Sequence, residues 1–167
     1  MPLTTRLTTA LDARLTSALD LSTPVDALDL AVRLDLASGT GSGQADLMWH
    51  DRRTLAASAN EDLDVAGVLA SGLGATLTFA RIKLLWVRAS AANTNTVVVT
   101  RPASNGVPIF AAASDAMAIR PGGQLLIAAP DATGIVVTAS TGDLINIGNG
   151  SSGTSVTYDI VLIGASA

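Results

Sequence analysis

Short apolar segments alternate with turn-forming residues through the second half of the chain, and this pattern constrains the fold more than any other feature of the sequence. The turns include Pro121-Gly122-Gly123, Pro130-Asp131 and Asn149-Gly150, and each precedes a run that contains several Leu, Ile or Val residues. Strands that recur at intervals of about 8–12 residues, with Gly, Pro, Asn and Asp between them, are typical of antiparallel sandwiches and jelly rolls. The sequence therefore predicts an all-β fold.

The pattern extends back to residue 28. Residues 28–36 alternate Leu or Val with Asp, Ala or Arg, which is the period of a strand with one dry and one solvated face. Residues 77–87 are long enough for a central strand. Val107–Phe110 is expected to form only a short edge strand, because Pro108 cannot donate to a sheet. We expect one jelly-roll or β-sandwich domain over residues 28–167, with about nine strands.

Residues 1–27 form a separate N-terminal extension in this interpretation, because Leu recurs there at every fourth position. A spacing of four places side chains on one stripe of a helix, whereas the many Thr residues favour extended structure. The sequence is thus compatible with a short helix and with an extended arm, and Ser22-Thr23-Pro24 ends the segment. An apolar stripe of this kind should dock on its own domain or on a neighbouring subunit, and the neighbouring subunit is favoured because the stripe has no obvious use in an isolated domain. The candidate interface residues are Leu7, Leu11, Leu15 and Leu19.

The composition favours a protein that assembles with others. Charged residues make up only 14% of the chain, against roughly 25% in ordinary soluble domains. The neutral surface that results is easily desolvated against another protein, so we expect a homo-oligomer. The net charge of −4 and the lack of a Lys/Arg cluster argue against direct binding to nucleic acid. No apolar run approaches the roughly 20 residues that cross a bilayer, so no membrane partner is expected.

Few residues could carry chemistry. The chain has no cysteine, which excludes thiolate catalysis and Cys-based zinc sites. His50 is the only histidine; it precedes Asp51, but no Gly-x-Ser-x-Gly nucleophile motif accompanies the pair. The glycine-rich segment 39–43 lacks the helix that a phosphate-binding loop requires directly after it, so a connector is favoured. We predict a non-enzymatic protein with no catalytic residue, no cofactor and no bound metal.

The rival interpretation is a hydrolase that cleaves glycans, which would need two facing carboxylates. Asp46 with Asp51 and Asp62 with Asp64 are the nearby candidate pairs. Solvated or capping roles are favoured for these carboxylates, because their spacing matches no known metal loop or catalytic motif.

Three further residues are candidates for a protein interface. Trp49 stands close to Arg52 and Arg53, and aromatic residues with arginine are enriched at the centres of interfaces. The two guanidinium groups are expected to form ion pairs, within the subunit or across a contact.

The order of several motifs resembles a recurrent type of structural protein from tailed bacteriophages. The match covers roughly residues 20–164. The segments that carry it are Gly39-Thr40-Gly41-Ser42-Gly43-Gln44-Ala45-Asp46, Asp51-Arg52-Arg53-Thr54-Leu55, Asp62-Leu63-Asp64-Val65-Ala66-Gly67, Leu77-Thr78-Phe79-Ala80-Arg81-Ile82-Lys83, Ile119-Arg120-Pro121-Gly122-Gly123, Ala129-Pro130-Asp131 and Val156-Thr157-Tyr158-Asp159-Ile160-Val161-Leu162-Ile163-Gly164.

Proteins of this type are virion components, and the pattern is similar to that of jelly-roll capsid cement (decoration) proteins. The resemblance implies a homotrimer at the threefold positions of the capsid, where it would bridge and stabilise subunits of the major capsid protein. It also implies synthesis in the host cytoplasm and a final location on the capsid surface. The alternative is a tail-tip or fibre module that binds a host receptor or a glycan.

Overall fold

The computed structural model describes residues 2–167, which contain strands and turns but no helix, and so no helix that could span a membrane. The strands are β1 (Thr5–Thr16), β2 (Val25–Ser38), β3 (Gln44–Ala45), β4 (Leu47–Leu55), β5 (Asn60–Asp64), β6 (Ala66–Ala70), β7 (Thr76–Thr78), β8 (Arg81–Ala89), β9 (Val97–Thr100), β10 (Ala116–Ile119), β11 (Gln124–Ala128), β12 (Ile135–Val136), β13 (Leu144–Asn149) and β14 (Val156–Ala165).

Eight of these strands form two four-stranded antiparallel sheets. Sheet I has the order β10-β9-β13-β5, and sheet II has the order β11-β8-β14-β4, with the short β12 also paired to β8. Counted along the chain, the first of the eight pairs with the last (β4 with β14), the second with the seventh, the third with the sixth and the fourth with the fifth. This nested pairing is the topology of a jelly roll. The predicted all-β, antiparallel fold is confirmed.

Alternating apolar side chains build the core between the two sheets. Strand β14 illustrates the pattern, because Tyr158, Ile160 and Leu162 point inward and are fully buried, while Asp159 and Val161 face out. Leu, Ile, Val and Ala supply most of the remaining core. Branched aliphatic side chains suit both the strand conformation and the close spacing of two packed sheets.

Strands β1 and β2 form a long antiparallel hairpin, called the ribbon below. Its register runs without interruption from Thr5 opposite Leu36 to Thr16 opposite Val25, and residues 17–24 make the turn. The leucine stripe was compatible with a short helix and with an extended arm, and the structure shows that it is extended. A spacing of four is even, so it keeps side chains on one face of a strand as it would on one stripe of a helix.

The ribbon crosses the domain boundary predicted at residue 27. Residues 28–36 do form the predicted strand, but β2 pairs with β1 and, through two residues only, with β3. It contributes no strand to either jelly-roll sheet. The predicted edge strand at Val107–Phe110 is wrong. Val107 and Ile109 are buried, but they lie in an irregular segment. A single isolated β-bridge, between Gly106 and Leu144, connects this segment to β13.

Candidate assembly surface

The register of the ribbon separates its side chains into two different faces. Odd positions of β1 stand opposite even positions of β2, so Leu11 meets Leu30 and Leu7 meets Leu34. These positions form one apolar face. The opposite face is polar and charged. The apolar face consists of Leu7, Thr9, Leu11, Ala13, Leu15, Leu28, Leu30, Val32 and Leu34, and Asp26 lies at its outer end, opposite Leu15.

The outer part of this apolar face is exposed to solvent. Leu15 is 73% exposed, Val32 56% and Leu28 49%. A two-stranded hairpin is at best marginally stable by itself in water, and contiguous exposed apolar patches mark interaction sites. The ribbon therefore has the properties of a surface that is covered by another molecule.

The base of the ribbon is fixed to the body of the protein. Leu36 is buried in a small cluster with Ala45, Leu84 and Ile163, on the outer side of sheet II. Leu7 and Leu34 pack partly against this cluster. Burial of these aliphatic side chains, each worth about 1.5–3 kcal/mol when complete, orients the ribbon relative to the jelly roll.

The glycine-rich loop after β2 uses its polar groups internally. The Gln44 side chain accepts a hydrogen bond from the Gly41 amide at 2.9 Å, and the Gly43 amide donates to the Pro130 carbonyl at 2.7 Å. The loop lies between two strands and has no helix after it. These contacts anchor the ribbon base to the 130–134 loop, and they occupy amides that a phosphate would need.

An ion-pair group keeps the polar face of the ribbon in water. Asp35 accepts hydrogen bonds from Nε of Arg33 at 2.6 Å and from Nε of Arg6 at 2.9 Å. The Arg33 contact, followed by that of Arg6, holds the pKa of the Asp35 carboxyl below its usual value. All three side chains are about half exposed or more, so this group sets which face stays solvated and adds little stability.

An apolar groove lies in the angle between the ribbon base and sheet II. Its volume is about 390 Å³. The ribbon side contributes residues 5–9, and the sheet side contributes Leu84, Trp86, Leu126 and Val161, all on the outward face of sheet II. Trp86 is fixed there by a hydrogen bond from its Nε1 to the Gln124 side chain at 3.0 Å. The groove and the apolar face of the ribbon form one continuous apolar surface.

The predicted interface residues fall into two groups. Leu11, Leu15 and Leu19 are exposed on the ribbon and its turn, and Leu7 is half-buried at its base. Trp49 is different, because it is buried in the core of the same molecule. Its assignment to an interface rested on neighbouring arginines in the sequence, but strand β4 turns its side chain inward.

The two arginines next to Trp49 point to opposite sides of β4. Arg53 points inward, lies 5.5 Å from the centroid of the Trp49 ring, and pairs with Asp51 at 3.0 Å and with Glu61. Arg52 points outward and binds both carboxylate oxygens of Asp159, at 2.6 and 3.1 Å. Both ion pairs are therefore made within the chain. The Arg52 contact holds the pKa of the Asp159 carboxyl below its usual value.

The candidate catalytic carboxylates each have a structural partner. Asp51 faces the other side of β4 from His50 and accepts hydrogen bonds from Arg53 and from the Arg52 amide. Asp46 accepts from Ser166 through both its amide and its hydroxyl, at 2.9 and 2.6 Å. Within residues 2–167 no group of three or more His, Asp or Glu side chains could hold a metal ion.

The carboxylates of β5 are also engaged. Asp62 accepts from the Asn146 amide at 2.8 Å, and Asp64 accepts from the backbone of Ala66 at 2.9 Å. The Asp62 contact joins β5 to its neighbour β13, and the Asp64 contact holds the backbone at the end of β5. Both carboxylates therefore stabilise local structure.

Sequence reasoning missed the second strand of the apolar face and the whole groove. Leu28, Leu30 and Val32 were assigned to a strand, but nothing in the sequence identified β1 as its partner. The available signal was the matched length of the two Leu-rich segments around Pro24. Trp86 was assigned to the core, because a continuous apolar run does not show which of its side chains face out, and the same holds for the runs that contain Leu126 and Val161.

Comparison of the chain with protein-family models, with curated proteins and with solved structures finds no match.

Proposed function

We propose that this protein is a non-enzymatic structural component of a tailed-bacteriophage virion, and that it serves as a capsid cement protein. The observation that supports an assembly role is the ribbon, whose exposed apolar face has no use in an isolated jelly roll. The phage assignment rests on the motif order described above. The major capsid protein is the proposed partner, and the oligomer is a homotrimer.

The mechanism follows from many modest contacts distributed over a large area. A rigid jelly roll holds the ribbon base in a fixed direction, so the apolar face reaches a neighbouring subunit already oriented. Linking several such contacts in one oligomer raises the effective concentration of the others, which can increase avidity by about 10²–10⁴. A shell bridged in this way resists outward pressure without any single strong site.

The decisive experiment is to locate the protein on purified particles. Cryo-electron microscopy or immunogold labelling should find many copies over the head shell, and heads that lack the protein should rebind it and resist heat better. A few copies confined to the tail would overturn the cement assignment and favour the receptor- or glycan-binding module. Cleavage of host glycans by the purified protein would overturn the non-enzymatic assignment.

A ribbon variant gives the matched control. Leu11→Glu combined with Leu30→Lys places a charge pair on the apolar face and should abolish rebinding to heads. Ala10→Glu combined with Ala31→Lys makes the same change at the adjacent pair on the polar face. The control variant should rebind like the unmodified protein.

A further inference from the structure

The apolar face of the ribbon and the floor of the groove are two adjoining apolar surfaces that no other part of the chain covers. A ribbon is two strands wide, or about 10 Å, and its outer part, from residue 9 to 16 on β1, is about 27 Å long. The groove presents an apolar floor of Trp86, Leu126 and Val161 beside the ribbon base. We propose that the ribbon of one copy of this chain seats its apolar face in the groove of a second copy.

The area favours a reciprocal exchange over a one-sided contact. The outer part of the ribbon has a footprint of about 270 Å², so one seated ribbon removes about 540 Å² from solvent when both surfaces are counted. Stable specific interfaces bury about 1,200–2,000 Å². When each copy both donates a ribbon and accepts one, the two contacts per copy bury at most about 1,100 Å², just below that range, whereas a one-sided contact reaches only half of this area. The closed arrangement is a dimer or a cyclic trimer.

The charges at the two ends of the contact are complementary. The outer end of the apolar face is acidic, because Asp26 stands opposite Leu15 on that face and Asp20 lies in the turn, whereas Arg14 is on the opposite face. The exposed Arg88 stands two positions beyond Trp86 on the same face of β8. Arg88 and Arg52 flank Asp159 on β14, so a second copy offers an end with a net positive charge beside its apolar floor. Opposite charges at that end fix the direction in which the ribbon lies.

The opposite face of the ribbon needs no protein partner. Arg6, Arg33 and Asp35 satisfy one another there, and the side chains around them are exposed. Only the apolar face lacks a covering surface. A two-stranded ribbon is stabilised when another surface packs on its apolar face. A second copy of the chain can provide that surface, because copies are present wherever the protein is synthesised.

This inference deepens the proposed function, from which it takes only the assembly role of the ribbon. It assigns the ribbon as the donor and the groove as the acceptor of one self-contact. The two can be disabled separately, which makes the assignment testable by mixing variants in the absence of any particle.

The donor variant is Leu11→Glu with Leu30→Lys, and its matched control is Ala10→Glu with Ala31→Lys on the polar face. Each pair places opposite charges directly across the ribbon, so the hairpin itself keeps a favourable cross-strand pair. The acceptor variant is Leu126→Lys with Val161→Glu, on the two strands that flank Trp86. Leu126→Lys alone, on edge strand β11, serves if the double change does not fold.

Native mass spectrometry and sedimentation velocity measure the result. The unmodified protein and the polar-face control should form the same closed oligomer, and the donor and acceptor variants should each be monomeric. An equal mixture of the two variants should recover a complex, because each mixed pair keeps one intact ribbon and one intact groove. That complex should bind at least about ten-fold more tightly than either variant binds itself and about ten-fold more weakly than the unmodified protein.

Three outcomes would overturn the inference. They are a monomeric unmodified protein at about 100 μM; a control that loses assembly as the donor variant does; and an acceptor variant that still assembles by itself, which would indicate ribbon-to-ribbon contact. Rebinding to heads is measured separately, with the unmodified protein: a monomeric protein that still rebinds keeps the cement function and lacks only the self-contact. Failure of the self-contact and failure of the cement function are therefore distinguishable.

Discussion

Leu11 and Leu30 stand directly opposite each other on β1 and β2, and each leaves about half of its side chain in solvent, 55% and 50% respectively. A cross-strand pair of leucines stabilises a hairpin, but its outer surface remains exposed to water. The pair lies in the middle of a ribbon whose base is buried and whose end is free. The jelly roll and the ribbon should therefore be separable in stability.

We predict that the ribbon can be shortened without harm to the jelly roll. Replacing residues 9–32 by Asn-Gly keeps Thr8 and Arg33 as neighbours and supplies a two-residue hairpin turn. At concentrations where the protein is monomeric, the free energy of unfolding should change by less than about 0.5 kcal/mol, because the deleted side chains do not contact the core. Urea unfolding followed by circular dichroism measures this. A destabilisation of several kcal/mol would mean that the ribbon supports the jelly roll.

The fold could be predicted from sequence largely because its turns are strongly marked. Pro121-Gly122-Gly123 and Asn149-Gly150 end strands where the structure ends them, and the alternation in residues 28–36 gave a strand. Turn residues and period-two alternation act locally, so a single sequence displays them. The same locality explains why the second half was predicted better than the ribbon.

The assembly surface could be predicted only in part, because pairing and facing are set by distant residues. The leucines of β1 were identified, but their partners on β2 lie across a hairpin whose register depends on the whole ribbon. The prediction that Trp49 lies at an interface was wrong for a related reason. Its inward direction is set by the pairing of β4 with β14, which nothing near Trp49 in the sequence reveals.

We predict unequal roles for the two adjacent arginines of β4. Arg53→Met should lower the free energy of unfolding by about 1–3 kcal/mol, because it leaves the half-buried Glu61 carboxylate without its cationic partner. Arg52→Met is the matched control. The Arg52 side chain is 74% exposed in its ion pair with Asp159, so thermal unfolding should change much less. Equal losses in the two variants would contradict the inward placement of Arg53.

We predict that replacing Gly164 even by alanine destabilises the protein. A Cβ there would lie 2.2 Å from the Arg81 carbonyl oxygen and 2.7 Å from Cδ1 of Phe79, at the point where the β14–β8 register shifts. Gly164→Ala should destabilise the protein by about 1–3 kcal/mol through overpacking.

Gly72→Ala provides the comparison for that change. A Cβ on Gly72 meets nothing within 4 Å, and stability should stay within about 0.5 kcal/mol. Denaturant midpoints of the two variants decide the matter. A neutral Gly164→Ala would mean that β14 and β8 can separate at the register shift.

Tyr158 should give the protein a specific instability at alkaline pH. It is the only tyrosine, its side chain is fully buried, and its hydroxyl donates to Oε1 of Glu61 at 2.7 Å. Burial, followed by the hydrogen bond to Glu61, raises the pKa of the Tyr158 hydroxyl far above its usual value. The folded protein therefore keeps this proton at a pH where the unfolded chain, with an ordinary pKa of about 10, releases it.

The sign of the effect follows from this difference in bound protons. The stabilisation is fully present below pH 10, and it falls by about 1.4 kcal/mol for each pH unit above 10, because only the unfolded state gains from losing the proton. Tyr158→Phe removes that slope and, at neutral pH, costs about 1–2 kcal/mol through the lost hydrogen bond. Urea unfolding from pH 8 to 11 should therefore show the two stability curves converging above pH 10. A constant difference between them across this range would mean that Tyr158 ionises equally in the folded and unfolded states.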